Sequence, residues 1–82
     1  MAITRIPENE RRLLTRKQID KEFDKKWTLL SLKDVDKKID GGYLYAIGEF
    51  DDQTELSLIS KQELQNQATM IYAHKDRGAL YV

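Results

Sequence analysis

Eighty-two residues without cysteine, with fourteen Lys or Arg, fourteen Asp or Glu and 40% apolar side chains, describe a small globular chain of zero formal charge. That composition excludes a disulfide scaffold, thiolate metal sites and cysteine nucleophiles, and it is too apolar for a disordered chain. No run approaches membrane-spanning length, and Met1 to Leu14 has no apolar signal-like core, so the expectation is a soluble, cytoplasmic protein.

Residues 1 to 26 carry eight basic against five acidic side chains, whereas residues 27 to 82 carry six against nine. The halves are therefore +3 and −3, an asymmetry able to steer a partner or orient self-association. Arg11, Arg12, Arg16 and Lys17 form the densest basic cluster, and Glu49, Asp51, Asp52 and Glu55 the densest acidic one.

In chain order, residues 1–14 read as an N-terminal arm or a short helical turn opened by Pro7, with Glu8 and Glu10 at its positive end. Residues 15–82 read as a single α+β domain. Leu14, Thr15, Gln18 and Ile19 have the spacing of a capping box with its hydrophobic staple, which starts a first helix over about Arg16 to Lys25, its inward stripe made by Ile19, Phe23 and Trp27. The pattern then turns to β: Trp27 to Leu32, Tyr43 to Phe50 and Glu55 to Ile59 are expected as a three-stranded antiparallel meander, with Asp40, Gly41 and Gly42 at one hairpin and Asp51 to Thr54 at the next. A second box at Ile59, Ser60, Glu63 and Leu64 predicts a helix from Lys61 to about Lys75, stopped by Gly78, before an optional short strand over Ala79 to Val82. The rival reading makes Asp52 to Lys75 one long helix, because Asp52 and Glu55 share the same spacing.

Chemistry is sparse. Asp34, Asp36, Asp40 and Gly41 resemble a calcium loop only loosely, since Lys38 and Ile47 fall where ligands are required; turn geometry explains them. His74, the single histidine, lies near the expected end of the second helix, where a cation suits the dipole, and no serine sits in a nucleophile context. Phosphate-binding glycine patterns are absent. These observations point to a non-enzymatic protein with neither cofactor nor metal.

The second expected strand alternates Tyr43, Tyr45 and Ile47 with Leu44, Ala46, Gly48 and Phe50. The small residues Ala46 and Gly48 mark the second set as the core face, joined by Leu30, Leu32, Leu56 and Leu58. Two helices can cover both sheet faces; if they share one side, Trp27, Tyr43, Tyr45 and Ile47, with Leu29, form an exposed aromatic patch suited to a protein partner or a second copy. The alternative is a weak nucleic-acid binder that uses Arg11, Arg12, Arg16 and Lys17, a reading opposed by the interspersed acids and a pI near 6.6.

Overall fold

The computed structural model describes residues 3–36, 38 and 40–75. They form five strands and two α-helices: β1 (Thr4–Arg5), β2 (Leu13–Thr15), α1 (Arg16–Glu22), β3 (Trp27–Ser31), β4 (Gly41–Gly48), α2 (Gln53–Glu63) and β5 (Ala68–Tyr72). Short 3-10 turns lie at Glu8–Glu10 and Phe50–Asp52.

All strand pairs are antiparallel. The central pair is β3 with β4; β5 lies against the other edge of β3, while β1 and β2 share the other edge of β4. The N-terminal segment is thus one edge strand interrupted by a turn. Pro7 precedes that turn rather than opening it as its first helical residue, and its carbonyl accepts the Glu10 N–H at 2.8 Å. Because β4 and β5 both run against β3, they run parallel to each other, and α2 crosses over β3 to join them. The expected meander of three consecutive strands is therefore only roughly matched.

The Thr15 signal is realised in full. Its hydroxyl accepts the Gln18 N–H at 3.3 Å, the Gln18 side chain accepts the Thr15 N–H at 2.8 Å, and Leu14 and Ile19 are buried together. The helix stops at Glu22, short of the expected Lys25, which instead takes a left-handed conformation at φ 62°.

The Ser60 signal is not a helix start. Glu55 to Ile59 is the middle of α2, and Ser60 lies in its last turn. Strand alternation would put Leu56 and Leu58 on one face, but they sit on opposite sides of the helix: Leu56 is fully buried and Leu58 is 48% exposed. The rival reading had the start right, at Asp52, and the end wrong. Gln65 and Asn66 both adopt positive φ, and the Asn66 N–H turns back to the Ser60 carbonyl at 3.2 Å, closing the helix where no glycine marks it. Ala68–Tyr72, expected inside a helix, is then free to form β5, with His74 beyond that strand rather than in a last helical turn. The expected stop at Gly78 and strand at Ala79 to Val82 lie outside the described residues.

Both faces of the sheet are covered. Leu14, Ile19, Leu30, Leu44, Ile71 and Ala73 make the core under α1, with Phe23 and Ile47 packed beside it. Leu29, Ala46, Leu56, Ile59 and Leu64 make the core under α2. The expected single core face fails at a β-bulge: Leu29 pairs with Ala46 and Leu30 with Leu44, leaving Tyr45 as an extra residue. Alternation resets there. Phe50 and Leu32, also placed in the core by the alternation, are exposed.

Two further contacts fix the ends of the sheet. At Gly41, β4 approaches β2 so closely that a Cβ would fall 1.9 Å from the Leu14 carbonyl oxygen, so only glycine fits. After β5, the chain is held to the α1 side by carboxylates: Asp20 accepts the His74 N–H at 3.0 Å and Asp24 accepts the Lys75 N–H at 2.8 Å.

Candidate functional site

At the end of the sheet where β3 begins and β4 finishes, three aromatic side chains meet. Trp27 and Tyr72 face each other as cross-strand partners, their ring centroids 5.3 Å apart. Phe50, in the turn that leads into α2, meets Tyr72 edge-on at 5.7 Å, and its carbonyl accepts the Trp27 indole N–H at 3.1 Å. That hydrogen bond satisfies the one polar atom of the indole and fixes the turn against β3. Phe50 is 66% exposed, the most exposed large apolar side chain among the described residues.

Around the corner of the same sheet end, on the α1 side, an open groove of about 450 Å³ runs between α1 and the Gly48–Glu49 turn. Phe23, Ile47 and Gly48 supply apolar lining; Glu22, Asp24, Lys26 and Glu49 supply charge, and Thr4 completes it from β1. Glu49 pairs with Lys26 at 3.1 Å and Glu22 with Arg12 at 2.7 Å. Both pairs are solvent-exposed. The turn itself is tied by Asp52, a buried carboxylate that accepts the Glu49 N–H at 2.8 Å.

The four residues expected to form an aromatic face are dispersed. Trp27 belongs to the cluster with Phe50 and Tyr72, and Ile47 lines the groove on the opposite side of the sheet. Tyr43 lies near the far end of β4, opposite Leu13 on β2. Tyr45, the bulge residue, is half-buried against the α2 core, and its hydroxyl donates to Glu63 at 2.7 Å. Glu63 also pairs with Arg5 at 2.6 Å, and the Arg11 guanidinium lies 4.5 Å above the Tyr45 ring. The hydrogen bond to Glu63, together with burial and the Glu63 charge, raises the phenol pKa above its ordinary value. This network pins the N-terminal edge strand to the end of α2.

Three of the four basic residues contact neighbouring groups. Arg11 is spent on Tyr45 and on the Ile6 carbonyl, Arg12 on Glu22, and Arg16 lies 3.5 Å from Asp40. Lys17 is exposed on α1. In the loop resembling a calcium site, Asp36 accepts the Lys38 N–H at 3.0 Å in a local turn. Among the described residues, no three His, Asp or Glu come together as a metal site, and no helix is long and apolar enough to cross a membrane.

Sequence reasoning misses the aromatic cluster, because alternation places the exposed Phe50 in the core and the helix expected from Lys61 to about Lys75 takes in the half-buried Tyr72. Comparison of the chain with family models, with curated proteins and with solved structures gave no match.

Proposed function

We propose that this chain is a small non-enzymatic, cytoplasmic protein-binding module whose contact surface is the sheet end carrying Trp27, Phe50 and Tyr72. The observation that carries this reading is the exposure of Phe50. A phenylalanine two-thirds in water, backed edge-on by a tyrosine and anchored through its own carbonyl by a tryptophan, is a rigid apolar projection. Aromatic anchors of this kind supply most of the energy of protein interfaces, since they bury large area at small entropic cost. Helices cover both sheet faces, which supports a contact surface at this end of the sheet instead. The acids interspersed among Arg11, Arg12, Arg16 and Lys17 and the pI near 6.6 disfavour the nucleic-acid alternative.

The test is a photo-crosslinking side chain, p-benzoylphenylalanine, placed at position 50 or at position 58 and activated in cells that make the protein. Position 58 is an exposed apolar site on the outer side of α2, at 48% against 66% for Phe50. A discrete protein adduct from position 50 and none from position 58 is the expected result. Its absence at position 50, or equal labelling from both, removes the cluster as the binding surface.

A further inference from the structure

We propose, building on the protein-binding reading, that the groove beside the Gly48–Glu49 turn receives a lysine or arginine side chain of the partner, next to the apolar residue that meets Phe50. The two features are contiguous: Gly48 is the cross-strand partner of Trp27, and Glu49 directly precedes Phe50. The groove is divided as a long cationic side chain is. Phe23 and Ile47 offer apolar surface for a methylene stem, while the charged end meets the rim.

Charge decides the sign of the occupant. The lining holds three carboxylates, Glu22, Asp24 and Glu49, against one ammonium, Lys26. Asp24 accepts a neutral N–H from Lys75 and makes no ion pair among the described residues. Glu22 and Glu49 are paired, but with exposed partners that an incoming cation can displace at little cost. An anionic segment placed here meets an excess of carboxylate over cationic groups, which disfavours it.

The experiment is a heteronuclear NMR titration of the full chain with two soluble probes, N-acetylated and C-amidated Leu-Lys-Leu-Lys and its glutamate counterpart Leu-Glu-Leu-Glu. The lysine peptide is expected to give saturable shifts centred on Phe23, Ile47 and Gly48, with affinity at least about tenfold above that of the glutamate peptide. Asp24→Asn keeps an acceptor for the Lys75 N–H while removing the charge, and it is expected to weaken the lysine peptide roughly two- to fivefold. Thr4→Lys, at an exposed position on the groove rim, is a second variant expected to act in the same direction. Equal response to both peptides, shifts centred elsewhere, or no saturation overturns the proposal. Crosslinking from position 50 reports separately on the aromatic cluster, so a charge-blind titration with a positive crosslink removes the cation and leaves the protein-binding reading in place.

Discussion

Leu44 and Ala46, two positions apart on one strand, are buried in opposite cores. In an unbroken strand they would share a face; the bulge at Tyr45 separates them, so α1 and α2 each close a core of their own. Ile19 stands in the first core and Ile59 in the second. Ile19→Val and Ile59→Val are each expected to cost about 0.5–1.5 kcal/mol, and the double variant the sum within about 0.5 kcal/mol. Urea unfolding of the four proteins measures this, and a coupling well above that margin would mean that the sheet does not insulate the two helices.

The two capping-box spacings make opposite predictions for similar substitutions. Thr15→Ala removes a hydroxyl that accepts the Gln18 N–H and is expected to cost about 1 kcal/mol. Ser60→Ala, inside the last turn of α2, is expected to change stability by less than about 0.5 kcal/mol, because its carbonyl rather than its hydroxyl closes the helix. Chemical denaturation of both variants decides the matter; a large loss at Ser60 would restore it as a helix cap.

Tyr45 ties the N-terminal edge to α2, and its effect has a pH signature. The folded phenol keeps its proton above the ordinary value of 10.0, chiefly because it donates to Glu63. Its contribution is therefore complete below the unfolded value and is lost as pH rises through the raised folded value. Tyr45→Phe is expected to cost roughly 1 kcal/mol at neutral pH and to flatten the alkaline fall in stability. Tyrosine absorbance against pH, with unfolding followed at several alkaline values, checks it. A variant with an unchanged alkaline profile would show that Glu63 does not hold the phenol.

By itself, the sequence determined whatever rests on contacts a few residues apart. The Thr15 cap and Leu14–Ile19 staple close within one helical turn, and the β-branched and aromatic runs at Trp27 and Tyr43 mark two strands whatever surrounds them. Tertiary structure decided the segments whose local signals were balanced. ELSLI fits a strand by alternation and a helix by spacing, and it is helical because Leu56 and Ile59 together reach the core beneath α2. ATMIY fits either state too, and it is a strand because β3 offers a bare edge and a place for Ile71 in the core under α1. The candidate site was the least legible part. Trp27, Phe50 and Tyr72 come from two strands and a turn, and no local pattern records that a bulge, a crossover helix and one indole hydrogen bond bring them to the same end of the sheet.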